Sequence, residues 1–584
     1  MGYLYVGCLG NEHMNHQNKN VLLRLAVSVV LSALLCALLA LCVMGTNTDD
    51  DWSISLFLSG RLPGSGLSLF LNAALSRLIV LLGSVTPNLN WFFVMEHLTA
   101  FAAFAALIYG ALTWARRGAG LAAVGLVAAF ALPGCISSSN YTFVAFLSTL
   151  AGGFILLLRL RDEGAGVASL LTGTLLMALG MCWRMQMFLL ALPFLGIAAA
   201  AIVWDRRRNA GIDLRALVSP LLVVVVACGV LVGYDRIAWR EGDWASWEEY
   251  NVARTALSDY PTKEYEEISG QLTELGVSEN DYSILRGWAS GDTDVLDTSL
   301  VQKVADVAGE DGSGETGPLG VLIGYVRGVF FRPTFFVPLA AVMLLVCLRP
   351  SFLLIGVGLE LACALAACWY FSFLGRLPDR VEDPIWLYAV VLSVAIVGAG
   401  DFAAVHEGSS RENFRLLPMA EAIAGLVICS LGVAYTAYRA FPMLNVPAFI
   451  QSLSQGDYVA DGPISTYLEN NPECCLVVDT GTYTLFEQEY GLRYLPSEDV
   501  ATRIVPLGGW SSGSPFRREQ CEARGGTNPF EILLTGQNVR LATDEGMAQR
   551  VCTFLREHYD QGVALVQVDE LGGLPVWRLE GSLS

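Results

Sequence analysis

The groups in this chain with chemistry to offer are carboxylates and guanidiniums at the ends of apolar runs. Three consecutive acids, Asp49, Asp50 and Asp51, follow the first apolar run directly. Crowded carboxylates partly shielded from water hold protons more tightly than isolated ones, which suits a general base. The plain alternative is a solvated helix end, for which one acid would suffice. Arg184 opens an apolar run in Cys182-Trp183-Arg184-Met185-Gln186, and Arg254 sits in a long polar loop. Arg376 and Arg380 belong to the turn Gly375-Arg376-Leu377-Pro378-Asp379-Arg380-Val381. A guanidinium presents a planar fork of donors that matches phosphate. Ion pairing with nearby acids is an equal reading for Arg254 and a weaker one for the two turn arginines. Glu96-His97 lies about one to two turns inside another apolar run, where ionisable groups mark function or a wet cavity. His97 reads as a metal ligand, a substrate hydrogen-bonder or a satisfied core histidine. Asn140-Tyr141 adds polar reach without charge.

These groups need a membrane scaffold to bring them together. The 584 residues are 54% hydrophobic and 16% charged, which places the chain in the polytopic membrane class. A net charge of −19 argues against nucleic-acid binding. The fourteen cysteines show no metal-ligand or C-x-x-C spacing. A span takes ~20 mostly apolar residues. About eleven spans are expected, near 21–45, 91–114, 118–133, 142–159, 165–182, 185–204, 214–235, 330–348, 351–374, 385–402 and 416–439. Arg116-Arg117, Arg159/Arg161, Arg206-Arg207-Arg208 with Arg215, Arg349 and Arg411/Arg415 then fall on one side. Basic short loops mark the cytoplasm, so the N-terminus is expected inside and the acidic loops and C-terminus outside. Leu67–Gly83 is apolar but short and contains Arg77. Counting it as a span would turn the later basic clusters outward, so it reads as an interfacial helix covering the acids.

The loop 236–329 is long and acidic. Within it Trp244–Pro261 reads as an amphipathic helix ending in a turn, and Val301–Thr316, rich in Gly, Asp and Glu, reads as mobile. After Phe441 the composition becomes that of a soluble domain. Strands are expected at Cys475–Asp479, Phe530–Leu534, Val563–Val568 and Pro575–Leu579, and a helix at Glu545–His558. Cys474, Cys475, Cys521 and Cys552 are available for pairing in an oxidising compartment. The expected architecture is an all-α polytopic membrane domain, 1–440, with a first outer loop at 46–90, and a small extracytoplasmic α/β domain at 441–584.

Outward carboxylates, arginines suited to phosphate and a lipid-embedded body point to sugar transfer from a polyprenyl-phosphate donor. A base deprotonates the acceptor hydroxyl, the anomeric carbon passes through an oxocarbenium-like state, and cations stabilise the leaving phosphate. The plan, with Asn47–Trp52 followed by Phe57-Leu58-Ser59-Gly60 and later Asn90-Trp91, resembles the GT-C superfamily of polytopic glycosyltransferases. Trp183-Arg184-Met185-Gln186, Tyr250-Asn251-Val252-Ala253-Arg254 and Gly375–Val381 resemble patches of its bacterial O-antigen-type glucosyltransferase group. The resemblance covers roughly 21–440. It implies a bacterial cell-membrane enzyme with a catalytic first-loop acid, which falls here on Asp50 or Asp51. It implies an inverting transfer from a polyprenyl-phosphate sugar to an envelope glycan, lipid or protein acceptor. Asp49, Glu96, His97, Asn140, Tyr141, Arg184, Arg254, Arg376 and Arg380 are then the substrate-binding candidates. Many members hold a divalent metal with an acid between spans three and four, but Cys135–Tyr141 contains none. Glu96 or Asp49 would have to substitute, or arginine serve alone. The competing class is a non-catalytic transporter or assembly scaffold for envelope polysaccharide. That class predicts broken helices and paired charges near the midplane, whereas here the charge gathers at one face.

Overall fold

The computed structural model describes residues 20–38, 41, 49–60, 66–87, 89–114, 140–161, 166–209, 214–309, 317–330, 354–399, scattered positions from 423 to 441, 460, 462–490 and 494–581. Six described helices are long and apolar enough to cross a membrane: Asn20–Leu38, Trp91–Thr113, Tyr141–Arg161, Met185–Arg207, Val218–Ala238 and Leu354–Phe373. The chain is an integral membrane protein. Val167–Trp183 and Asp379–Ala399 complete the described bundle. The expected spans 118–133 and 330–348 lie wholly or almost wholly outside the described residues, and 416–439 is described only at scattered helical positions.

The bundle is built around the Tyr141–Arg161 helix, in which every residue except Leu156, Arg159 and Arg161 is buried. It packs on the Trp91–Trp114, Val167–Trp183, Met185–Asn209 and Asp379–Ala399 helices. Small residues let the backbones close up. A Cβ on Gly180 would sit 2.1 Å from Thr149 Oγ1, so only glycine fits there. The Val218–Ala238 and Leu354–Phe373 helices instead leave Leu221, Leu222, Val225, Ile355 and Leu359 exposed, as lipid-facing helices do.

The Ala73–Val85 helix spans about 20 Å at ~1.5 Å per residue, short of a ~30 Å hydrocarbon core. Asn72 caps it by accepting from the Ala74 N–H. Its buried face is Ala73, Leu75, Ser76, Ile79 and Gly83. Arg77 points the other way, donating to the Tyr234 hydroxyl at 3.0 Å and pairing with Glu241.

Within the expected loop 236–329, four helices, Trp244–Ser258, Tyr265–Glu274, Glu279–Arg286 and Thr298–Ala308, precede a fifth, apolar one, Pro318–Phe330, whose Tyr325 packs against the bundle core. The expectation of a mobile Val301–Thr316 is corrected for its first half. Val301, Val304 and Ala308 form a buried stripe and Asp297 caps the helix. Averaging them with the Gly-rich residues that follow hid that stripe.

The C-terminal module carries a five-stranded sheet. Its strands are β1 (Cys475–Val478), β2 (Ile504–Pro506), β3 (Val539–Ala542), β4 (Ala564–Leu571) and β5 (Leu574–Glu580), in the order β2-β1-β3-β5-β4. β2, β1 and β3 run parallel, and β5 pairs antiparallel with β3 and β4. Phe530–Leu534, expected as a strand, is instead part of the Pro529–Thr535 helix. Asn528 Oδ1 accepts from the Phe530 and Glu531 N–H groups and Pro529 takes the first position, a start signal that outweighs the β-prone composition. The available cysteines do not pair: Cys474, Cys475, Cys521 and Cys552 are free and buried, packed as small apolar side chains.

The module's own helices, Pro529–Thr535, Glu545–His558 and Thr480–Tyr490 among them, lie against the sheet, and each face belongs to an apolar core that also takes in segments far away in sequence. Cys475 and Val477 of β1 belong to the core that includes Tyr250, Leu257, Tyr282 and Val301 of the acidic loop. Leu476 and Val478, on the opposite face, belong to the core that includes Trp52, Leu56 and Phe57. Asp281, Glu557 and His558 come together at the first of these junctions. Their grouping follows from hydrogen bonds: Asp281 completes a capping box with Ser278, His558 Nε2 lies 2.8 Å from Asp281, and Ser278 donates to Glu557.

Candidate active site

Asp49, Asp50 and Asp51 form the first turn of the nine-residue Asp49–Phe57 helix, where the helix dipole favours negative charge. Asp49's side chain lies outside the described residues. Asp51 is fully buried, and its Oδ1 accepts from the Tyr141 N–H at 2.9 Å. It thereby satisfies the first free N–H of the central helix, while Asn140 Oδ1 takes the next, from Thr142, at 2.6 Å. Asn140, expected to reach substrate, is engaged as this helix cap. Asp50 is the more accessible acid. Its side chain is 23% exposed and its Oδ2 lies 3.9 Å from Arg380 Nη2, an ion pair too long to be a hydrogen bond.

The arginines gather around these acids from three separate elements. Arg184 occupies the one-residue extended break between the Val167–Trp183 and Met185–Asn209 helices. Its Nη1 donates to the Tyr141 hydroxyl at 2.9 Å and to Thr142 Oγ1, and its guanidinium stands 5.1 Å over the Tyr141 ring. Arg380 stands in the first turn of Asp379–Ala399. Arg376 forms a 2.7 Å ion pair with Asp259 and lies 5.2 Å over Tyr260. Gly375 approaches Pro261 closely enough that an added Cβ would be 3.0 Å from the proline ring. The turn that ends the Trp244–Ser258 helix is thus docked on the Gly375–Val381 turn.

Arg254 is 2% exposed, with Nε and Nη2 donating to Asn251 Oδ1 at 3.0 and 2.8 Å. It stacks 4.8 Å over Trp288 and leaves Nη1 without a partner. Burial lowers this guanidinium from its usual value; Asp259, Tyr250 and Asp50 oppose that shift and Arg376 adds to it. Tyr141 lies within electrostatic range of Arg184, Asp50, Asp51 and Arg380. Asp50, Asp51, Tyr141, Arg184, Arg254, Arg376 and Arg380 therefore lie along one seam where the bundle, the Asp49–Phe57 helix and the acidic loop meet.

Glu96 joins the seam from the bundle side. It is 2% exposed, both carboxylate oxygens lack hydrogen-bond partners, and it lies within range of Asp51. An unpartnered buried carboxyl is costly, and such groups concentrate where function demands them. His97 is turned to its own helix: Nδ1 lies 3.0 Å from the Phe93 carbonyl and the ring stacks on Phe93 at 3.9 Å. Among the described residues these acids and His97 form no three-ligand metal cluster.

Several residues of the seam carry no signal that sequence alone would pick out. Asp259 and Tyr260 are two positions in an acidic loop, yet they meet Arg376. Trp510 comes from the sheet module and stacks near Phe57 at 5.0 Å, Phe70 at 5.2 Å and Trp247 at 6.2 Å. Phe70 in turn lies 5.5 Å from Tyr141, so an aromatic wall runs from the module to the central helix. The Asp259-Tyr260-Pro261 turn was visible as a turn, but its docking partner was not.

No protein-family model matches the chain, and no curated protein matches it in sequence. Solved structures similar to it include ArnT from Cupriavidus metallidurans bound to undecaprenyl phosphate, at 10% identity and a TM-score of 0.37, covering 94% of this chain and 97% of that one. The archaeal oligosaccharyltransferase AglB from Archaeoglobus fulgidus, in complex with an inhibitory peptide and a dolichol-phosphate, is similar at 12% identity and a TM-score of 0.38, covering 90% and 69%. An Archaeoglobus fulgidus oligosaccharyltransferase complex with zinc and sulfate is similar at 12% and 0.37, covering 95% and 73%. These neighbours are GT-C glycosyltransferases, the class that the sequence resembles. At such identities and scores the likeness assigns no role to any residue.

Proposed function

We propose that this chain is an inverting glycosyltransferase that moves a sugar from a polyprenyl-phosphate-linked donor to an envelope glycan, lipid or protein acceptor at the outer face of a bacterial membrane. The observation that supports the reading is the 3.9 Å approach of Asp50 to Arg380 beside Tyr141, whose hydroxyl accepts from Arg184, with Arg254 in electrostatic reach of Asp50. Asp50 takes the proton of the acceptor hydroxyl. The acceptor oxygen bonds to the anomeric carbon from the face opposite the phosphate as the carbon–phosphate-oxygen bond breaks. The phosphate departs with the bonding electron pair, and the guanidiniums hold its charge. Arg380 and Arg184 are the main phosphate ligands, with Arg184 pre-aimed by Tyr141 and Thr142. Asp51 acts by holding the central helix to the acid-bearing one, and Glu96 and Asp49 shape the field around it. In the same reading, 1–440 is the membrane body of about eleven spans, with a cytoplasmic N-terminus. Residues 441–584, packed with the 46–90 and 236–329 segments, lie outside.

Mass analysis of envelope glycans and lipids from cells with and without the protein tests the reading. Loss of one sugar mass from one component is expected, together with activity of an outside-only reporter fused after Ser584. Unchanged envelope masses combined with binding of intact polysaccharide would favour a scaffold instead.

A further inference from the structure

We propose that the C-terminal module sets the position of Asp50 by gripping the helix that carries it, with Glu487 and Trp52 as positioning residues; this rests on the reading of Asp50 as the base. A nine-residue helix does not hold itself in place in water, and the Asp49–Phe57 helix is held from two sides. Ile54 and Leu58 belong to the core of the bundle, while Trp52, Leu56 and Phe57 belong to the core beneath the sheet. Residues four apart lie on one helix face, so Ile54/Leu58 and Trp52/Leu56 are two distinct faces.

The grip on the module side is polar as well as apolar. Trp52 is fully buried, its Nε1 donates to the Tyr494 carbonyl at 3.1 Å, and the Tyr483, Phe486 and Tyr490 rings surround it at 6.2, 5.6 and 6.2 Å. Ser53 Oγ donates to Glu487 Oε1 at 2.5 Å in a buried pair spanning 434 residues of sequence. Phe57 meets Phe516 at 4.6 Å, and Arg517 stands over both Phe57 and Tyr483. These contacts are made to Trp52, Ser53 and Phe57 of the helix that carries Asp50. They fix the rotation and height of its helix, and through the helix the approach of its carboxylate to Arg380.

The test compares Glu487→Ala, Glu487→Gln, Ser53→Ala and the Ser53→Ala/Glu487→Ala double variant in the full-length chain. It reads the in-cell rate of envelope modification and the binding of undecaprenyl phosphate to purified protein. A misplacement of about 1 Å at a reacting group costs on the order of 100-fold. Glu487→Ala is therefore expected to slow modification by ~10–100-fold with undecaprenyl-phosphate binding unchanged. Glu487→Gln, whose amide oxygen still accepts from Ser53, should remain close to the unmodified chain, and the double variant should be no slower than Glu487→Ala. If Glu487→Ala fails to accumulate, Ser53→Ala removes the same hydrogen bond from the other side. An undiminished rate in Glu487→Ala and Ser53→Ala, with Asp50→Asn inactive, overturns the positioning role and leaves the base in place. Loss of rate and lipid binding together overturns it too, as general structural support. Full activity of both Asp50→Asn and Asp51→Asn would sink the underlying reading instead, whatever Glu487 does.

Discussion

Two parts of the Asp49–Phe57 helix, its acidic first residues and the stretch from Trp52 behind them, are built on opposite principles. The module end is a dense aromatic packing in which Trp52 and Ser53 have close hydrogen-bond partners. The seam end is charged: Asp50 and Arg380 stand at 3.9 Å, and the buried Arg254 Nη1 and both Glu96 carboxylate oxygens lack hydrogen-bond partners. Buried polar groups are normally paired, so each exception asks for an explanation. The contrast teaches that aromatic packing and charge are divided along a helix of fewer than three turns. Rings close around its Trp52 side, whereas groups of both charges gather on its Asp50 side.

The largest expected effect breaks the seam end at its acid. A general base contributes ~10²–10⁴-fold in rate. Asp50→Asn, which keeps size but not basicity, should lower envelope modification by that range with undecaprenyl-phosphate binding retained. Asp51→Asn should do less, because the amide oxygen can still accept from the Tyr141 N–H; its cost is that of a weakened helix cap, on the order of 0.5–2 kcal/mol of stability. The measurement is the modification rate of the two variants at equal membrane abundance. The reverse ranking would make Asp51 the base and Asp50 a partner of Arg380.

That ranking could not have been written from the sequence, where Asp50 and Asp51 are neighbours of one type. Hydropathy located the bundle helices, among them Trp91–Trp114, because a lipid-spanning helix is decided by local composition. The amphipathic period likewise located Glu545–His558. The seam and the hold on its acid-bearing helix depend on contacts such as Asp259 with Arg376, 117 positions apart by number, and Trp52 with Tyr494, 442 apart. No local pattern encodes such pairings. β2 and β3, of three and four residues, are too short to show a period and exist because β1 lies between them. Asn140 was legible as a polar residue at a membrane edge, but that position suits a helix cap as well as a ligand.

A smaller effect separates the arginines from one another. Arg376 is already tied to Asp259 at 2.7 Å, whereas Arg380 has only the looser 3.9 Å pairing with Asp50 among the pairs described. A charge-assisted hydrogen bond to phosphate is worth about 1.5–3 kcal/mol. Arg380→Gln should therefore weaken undecaprenyl-phosphate binding by roughly 10–150-fold, measured by titration of purified protein. Arg184→Gln should fall in the same range. Arg376→Gln should weaken binding less and loosen the docking of the 259–261 turn. Equal losses at Arg376 and Arg380 would mean that Arg376 leaves Asp259 when the lipid binds.

The smallest effect belongs to an arginine that lies outside the seam. Arg77 sits on the Ala73–Val85 helix, close in sequence to the acids, and a purely electrostatic view of this face would enlist it with the others. Its geometry says otherwise. It pairs with Glu241, the two side chains are 38% and 57% exposed, and its other donor goes to the Tyr234 hydroxyl. Exposed ion pairs are worth ~0.2–1 kcal/mol and are screened by salt. Arg77→Gln should leave undecaprenyl-phosphate affinity and modification rate unchanged within about twofold, because an exposed guanidinium already satisfied by its own partners adds little to binding elsewhere. The informative control is ionic strength. If Arg77→Gln weakens lipid-phosphate binding at low salt and the difference disappears as salt rises, the helix contributes long-range attraction rather than contact. A loss that persists at high salt would place Arg77 in the anion site itself, and the division between a reacting seam and its surroundings would have to be redrawn to include the Ala73–Val85 helix.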